Sequence, residues 1–380
     1  MNFDLRFLRN MDWVLLAAVL ALGTLGLLVV ASATRGQFGE QSSAYVLKQA
    51  AGLLLGLAGL VLVLLFDYTE FERLYRFLYI ANIALLSLVF VPFLGKEVNG
   101  TRGWLDLGVI LVQPSEIAKV LVIVTLATLL ARQEGNLGSF WHLLLAGGHI
   151  APVLGLILLQ PDLGTALVLL AIVAAMLYMA GMSGWRLGLL ALLGAGALAG
   201  IVVATTVYGI QVPGVSRYQV DRILCWLEPE RDVRNACYNV IQARIAIASG
   251  GLPGMGLFRG TQTQLGYVPE SHTDFIFTAV AEELGFIGAA VVLLLFLVVL
   301  WRVLNAAMHA KDRYGVLLVT GVAAMIGFHV LENAGMAVGL MPVTGIPLPF
   351  ISYGPTSAVA NLIAVGLVLN VHMRRQTLLF

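Results

Sequence analysis

Charge is what this chain has least of. Asp, Glu, Lys and Arg make up only 11 % of its 380 residues, and 22 basic against 21 acidic side chains leave a net charge of +1. No basic field is therefore offered to nucleic acid. Cysteine is almost absent too. Cys225 and Cys237 alone build neither a zinc ribbon nor a disulfide framework. The chain lacks a Walker-type phosphate loop, a His-x-x-x-His metal spacing and a serine–histidine–acid set. It also lacks linkers, low-complexity tracts and internal repeats, and inverted repeats are what a transporter built of two halves would show.

What it has is apolar length. Hydrophobic residues are 59 % of the chain, with 41 glycines and a mean hydropathy of +0.92, the composition of a polytopic membrane protein. Ten runs are long enough to cross a bilayer, near 12–32, 44–66, 74–94, 114–132, 144–160, 163–181, 187–208, 274–302, 315–341 and 357–373. The expectation is one all-α membrane domain spanning 1–380, of about ten helices, with a large outer loop at 209–273 between the seventh and eighth. Arg6 and Arg9 precede the first run, and Ala31-Ser32-Ala33 follows it like a signal-peptide cleavage site. The run is nearer the ~20 residues that span a membrane than the ~7–15 of a signal core, so it reads as an uncleaved helix. Short connections on the N-terminal side carry Arg73, Arg76, Arg132, Arg186, Arg302, Lys311, Arg313, Arg374 and Arg375, which makes that side cytoplasmic.

Against this background, ionisable residues at membrane depth stand out. The stretch Gly266 to Gly285 holds Glu270, His272, Asp274, Glu282 and Glu283 at the mouth of the eighth run. Asp274 reads either as a helix cap or as a catalytic carboxylate. Glu116 and Lys119, three apart in a helix opened by Pro114, are either a self-neutralising pair or a functional one. Asp162 reads first as a cap for the sixth helix. Arg217, Arg222, Arg244 and Arg259 make the outer segment attractive to anions, and its stretches 221–226 and 238–248 read as interfacial helices. Its glycine-rich stretch 249–257 reads as a flexible connector. Residues 339–354, with three prolines and three glycines, describe irregular backbone lining a cavity or buried in protein. Cys225 and Cys237 form either a disulfide in an oxidising compartment or two buried thiols.

This constellation suits an amphiphile with a lipid tail and an anionic diphosphate. A diphosphate leaves without a general acid, so one carboxylate taking a proton from an attacking hydroxyl suffices. Arg102, Lys119 or a divalent cation would offset the charge on the diphosphate.

Asn99-Gly100, Arg102 and Trp104; Gln113-Pro114-Ser115-Glu116 with Lys119; Gln160-Pro161-Asp162-Leu163-Gly164; Pro269-Glu270 with His272-Thr273-Asp274-Phe275-Ile276-Phe277 and Glu282-Glu283-Leu284-Gly285; and Gly345-Ile346-Pro347-Leu348-Pro349-Phe350 with Ser352-Tyr353-Gly354 together resemble the SEDS family (shape, elongation, division, sporulation). The stretch Thr344–Phe350 is more similar to the RodA elongation branch than to the FtsW division branch. The resemblance implies a multi-pass glycosyltransferase of the bacterial plasma membrane that polymerises lipid II outside the cell. It implies a class B penicillin-binding protein as partner, with other elongation proteins and membrane lipid, and possible use of Mg or Mn but no organic cofactor. It carries the catalytic acid onto Asp274 and a functional polar pair onto Glu116 and Lys119. Arg102, Glu116, Lys119, Asp162, Arg217, His272, Glu282 and Ser352 are the expected substrate-binding residues. A lipid II flippase and a non-catalytic scaffold are the competing readings. Pro355 departs from the family's usual Ser-Tyr-Gly-Gly-Ser, which puts the role of that turn's backbone in question.

Overall fold

Aspartate opens the first helix. In the computed structural model, which describes residues 9–98, 101–106, 108, 111–133, 140–210, 217–233 and 237–375, Asp12 accepts a hydrogen bond from the Leu15 amide at 3.0 Å and starts α1 (Trp13–Phe38). Arg6 lies outside the described residues. One 3₁₀ turn leads to α2 (Ser42–Leu65), followed by α3 (Tyr68–Arg73), capped by Asp67, and α4 (Tyr75–Ser87). Three short strands come next: β1 (Gly95–Val98), β2 (Thr101–Asp106) and β3 (Leu111–Val112). Then follow α5 (Pro114–Ala131), α6 (Phe140–Leu159), α7 (Leu163–Met179) and α8 (Gly184–Thr206). The segment between 209 and 273 supplies α9 (Arg217–Leu227), α10 (Tyr238–Gly250) and the single turn α11 (Thr261–Gln264). The chain ends with α12 (Ile276–Glu283), α13 (Gly285–Met308), α14 (Arg313–Val338) and α15 (Pro355–Met373).

The strands correct the all-α expectation. They form an antiparallel sheet in the order β1-β2-β3, with Lys96 opposite Trp104 and Leu105 opposite Val112. Alternation explains it, because β2 buries Gly103 and Leu105 while Arg102 is exposed and Trp104 and Asp106 are half-buried. Among the described residues, six stretches are long and apolar enough to cross a membrane, and Trp13–Leu65 covers two of the expected runs. Tyr75–Phe90, Leu143–Leu159 and Leu163–Met179 are shorter apolar helices.

The bundle is centred on α15 and α14. Gly52, Gly56 and Gly366 let α15 lie directly on α2; a Cβ on Gly52 would stand 2.7 Å from the Pro355 Cα. Pro355 is the first residue of α15, where its missing N–H has no partner to lose, so the proline fits its turn. By contrast α8 buries none of its residues.

A second correction concerns the eighth run. Instead of one helix from 274 to 302, α12 stops at Glu283 and α13 starts afresh at Gly285, whose φ is +67°. The glycine-rich stretch causes the break. Met255 and Gly256 donate their amides to the Glu282 and Glu283 carbonyls (3.0 and 2.8 Å), while Phe286 and Ile287 donate to Gly251 and Leu252 (2.9 and 3.2 Å). Those bonds satisfy groups that two helix ends would otherwise leave bare. The expected flexible connector is therefore a packed joint, and the candidate span begins at Gly285, beyond Asp274.

Candidate active site

Asp274 belongs to a loop fixed from several directions. Glu270, with a left-handed φ of +55°, accepts the amides of Thr273 and Phe275 on its carbonyl, each at 3.1 Å. Its carboxylate takes the Thr273 hydroxyl at 2.8 Å. From α14, one Asn333 side-chain amide donates to both the Asp274 carbonyl (2.7 Å) and the Ile346 carbonyl (2.8 Å). From α1, Gln37 donates to the Val268 carbonyl and the Ser271 hydroxyl, both at 3.1 Å. The loop before α15 is tied in as well. Ser352 Oγ donates to the Thr273 carbonyl and accepts the Leu348 amide, both at 2.7 Å. Gln49 of α2 donates to the Ser352 carbonyl (3.0 Å) and accepts the Gly354 amide (2.9 Å). Irregular backbone at this depth is thus fully stitched, as burial of Ile346, Leu348, Phe350 and Ile351 requires.

The capping reading of Asp274 fails. The residue preceding α12 is Phe275, and no side chain caps that helix. The Asp274 carboxyl instead looks toward Gly345, where an added Cβ would lie 3.1 Å from its Oδ2 and 3.4 Å from Nη1 of Arg222. Gly345, at φ +78°, leaves open the space between an acid and a guanidinium. Burial pushes the Asp274 carboxyl up to about 7; Glu270 and Asp162 push the same way and Arg222 opposes them. An acid poised there accepts a proton near neutral pH.

His272 stands two residues away among aromatic rings. Its ring centroid is 5.3 Å from Phe38, 5.5 Å from Tyr45 and 5.7 Å from Tyr353. Burial lowers its pKa, which favours the neutral ring, and its Nδ1 has no hydrogen-bond partner among the described residues.

The other expected site residues fall into different places. Asp162 caps α7, accepting the Thr165 amide at 2.9 Å, while its charge still reaches Asp274. Ser352 is bound up in backbone. Glu282 does not flank Asp274 on a common helix; its carboxylate accepts the Gln262 and Thr263 amides (2.7 and 3.0 Å) and the Thr263 hydroxyl (2.6 Å). These bonds satisfy free amides at the head of α11. Lys119 is enclosed rather than facing outward. Its Nζ lies 2.8 Å from Glu116 and 2.9 Å from His329 Nε2, and all three are buried. Nδ1 of His329 donates to the Met325 carbonyl at 2.6 Å, so Nε2 accepts from Lys119. Arg102 is exposed on β2. The Arg217 side chain lies outside the described residues. Cys225 and Cys237 are joined as a disulfide.

Two residues at the site were not singled out from the sequence as site residues. Asn333 had a signal, a polar side chain one turn from His329 in an apolar helix. Arg222 had only its membership of a basic segment.

A family sequence model described as "Cell cycle protein", covering FtsW, RodA and SpoVE, matches residues 12–377. The chain belongs to the FtsW/RodA/SpoVE family. It is 36 % identical to Stage V sporulation protein E of Bacillus subtilis over 366 residues, 95 % of this chain and 96 % of that protein. It is 34 % identical to the peptidoglycan glycosyltransferase MrdB of Escherichia coli over 374 residues, 97 % of this chain and 95 % of that one. Among solved structures, it resembles a chain from work on polymerization and crosslinking by a peptidoglycan synthase complex, with TM-score 0.77 and 35 % identity over 95 % of this chain and 97 % of that chain. The rod shape determining protein RodA of Thermus thermophilus superposes with TM-score 0.70 at 32 % identity over 97 % and 98 %. This family member therefore has the multi-pass helical fold of RodA.

Proposed function

We propose that this family member is a peptidoglycan glycosyltransferase that joins lipid II units on the outer face of the membrane, with Asp274 as general base. The observation that carries the reading is Asp274 itself: a carboxyl free of capping duty, clamped through its backbone by Asn333 and opposed across Gly345 by Arg222. Asp274 takes the proton of the acceptor sugar's hydroxyl as its oxygen bonds to the donor's anomeric carbon. The carbon–oxygen bond to the lipid diphosphate breaks, and the electron pair leaves on the diphosphate. His272, neutral and ringed by aromatics, belongs to the wall against which a sugar lies. Glu116 and Lys119 act on the site from within the bundle, through α14, rather than by touching the diphosphate.

Among the described residues no three His, Cys, Asp or Glu side chains stand together to hold a metal ion, and both Asp162 carboxylate oxygens are taken by the Thr165 amide and hydroxyl, so the residues described do not make a site for Mg or Mn.

The elongation role rests on Thr344–Phe350, and a class B penicillin-binding protein is the partner, bound through its transmembrane helix. The apolar surface of α13, where Phe286, Ile287, Leu294 and Leu297 are exposed, is the candidate docking face, whereas the apolar run of α14 is buried inside the bundle. Purified protein, with and without that partner, is to be given lipid II and assayed for glycan chains. Polymer from the wild type and a loss of ~10²–10⁴-fold in Asp274→Asn is the expected result. Near wild-type polymerisation by a folded Asp274→Asn that still binds its partner removes the assignment.

A further inference from the structure

When the sugar–diphosphate bond breaks, a full negative charge collects on the departing oxygen, and a cation held opposite the base lowers that barrier. For that role the sequence offered Arg102, Lys119 or a divalent cation. Lys119 is spent on Glu116 and His329, and Arg102 lies on the exposed edge of β2. We infer that Arg222 is the residue that faces the leaving diphosphate, and that the Cys225–Cys237 disulfide keeps it there. The inference rests on the glycosyl-transfer reading above.

Three observations support it. The Arg222 guanidinium places Nη1 and Nη2 at 3.4 and 3.7 Å from the point where Gly345 lacks a side chain, and Asp274 Oδ2 reaches the same point at 3.1 Å. Base and cation thus converge on the same backbone position, Gly345, which brings the guanidinium to the side of the site where the carboxyl stands. Second, α9 is tethered. Cys225, three residues on from Arg222 and so on an adjoining position of the helix, is bonded to Cys237 at the head of α10. Gln219, three residues before Arg222, donates to the Pro161 carbonyl at 3.4 Å. Third, α10 is anchored to the Asp274 loop itself, since Ala243 and Ala246 pack with Val268, Phe275 and Val343. The disulfide therefore links the helix carrying the cation to the helix that packs on the base's loop. A planar guanidinium suits the two phosphates of a diphosphate better than an ammonium does.

Among the described residues, the charged groups acting on Asp274 are Glu270 from its own loop, Asp162 from the head of α7, and Arg222 from α9, and the last alone of these is a cation. Removing it leaves the carboxyl harder to ionise. The test is lipid II polymerisation across pH 5.5–9 by wild type, Arg222→Ala, Arg222→Lys, the double variant Cys225→Ser/Cys237→Ser, and Asp274→Asn. Arg222→Ala is expected to lose roughly 10²-fold in kcat/KM and to shift the acid limb of the rate profile to higher pH. Arg222→Lys should keep the limb in place and recover part of the rate. The double serine variant should shift in the same direction as Arg222→Ala, by less. Arg222→Ala with wild-type kcat/KM and an unmoved acid limb, beside an inactive Asp274→Asn, overturns the assignment of Arg222 and leaves the base in place. A double serine variant indistinguishable from wild type overturns the role of the disulfide. An active Asp274→Asn instead brings down the underlying reading.

Discussion

Asp274 and Asn333 show how a single side chain is made useful by what holds its backbone. With its carboxyl raised to about 7, Asp274 is half-protonated at neutral pH. A base must be ionised to act, so the rate should fall about tenfold per pH unit below that value and level off above it. An acid limb nearer the ordinary carboxylate range of about 4 contradicts the assignment of Asp274 as base. Asn333 donates one amide group to two carbonyls, those of Asp274 and Ile346. Asn333→Ala should lower stability by about 1–3 kcal/mol, because two buried acceptors lose their donor. Asn333→Asp should be worse than alanine, since an anion would then point at both carbonyls. Thermal unfolding in detergent orders the two variants, and kcat should fall in the same order.

Elements were legible where one chemistry sufficed. Pro114, Asp162 and the short amphipathic stretches of the outer segment announced α5, α7, α9 and α10 because caps and apolar spacing are local signals. The sheet at 95–112 was missed because its strands are only two to six residues long and are stabilised by pairing across the chain. The joint between α12 and α13 was missed for a related reason. Its cause lies some thirty residues earlier, in Gly251 to Gly256, and apolar composition alone runs straight through the break. Asp274 was legible as an acid in the wrong place, but its partner Arg222 was not, because nothing local says which arginine of a basic segment turns inward. The joint makes a controlled prediction. Gly251 and Gly254 are both left-handed, at φ +56° and +82°, but a Cβ on Gly251 meets nothing, whereas on Gly254 it would collide with the Glu283 carbonyl. Gly251→Ala should cost about 1–2 kcal/mol from backbone strain alone. Gly254→Ala should cost distinctly more and should also lower activity, because the joint positions α12 behind the Asp274 loop. Equal melting temperatures for the two variants would show that the glycine loop is not packed as described.

At the scale of the whole molecule, charge and redox chemistry have to agree on which way the chain faces. The proposed cytoplasmic side, inferred from arginine in the short connections, holds Arg132, Arg302 and Arg313 and is bound together. Arg302 pairs with Asp12 at 2.7 Å, Arg132 with Glu72 at 3.3 Å, and Arg313 donates to the Gln133 and Ala180 carbonyls, both at 3.1 Å. The opposite end carries the Asp274 loop, the sheet and the outer segment, with its Cys225–Cys237 bond. Disulfides persist in oxidising compartments and are rare in the reducing cytoplasm, which supports placing 209–273 outside independently of the arginines. The two arguments make one joint prediction. In intact cells, a membrane-impermeant thiol reagent should label a cysteine placed at exposed Leu227 in the Cys225→Ser/Cys237→Ser background. A cysteine placed at exposed Lys311, in the Cys225→Ser/Cys237→Ser background, should react only after the membrane is breached. Labelling of Lys311→Cys in sealed cells would invert the topology and move Asp274 to the side of the membrane where the proposed reaction has no place.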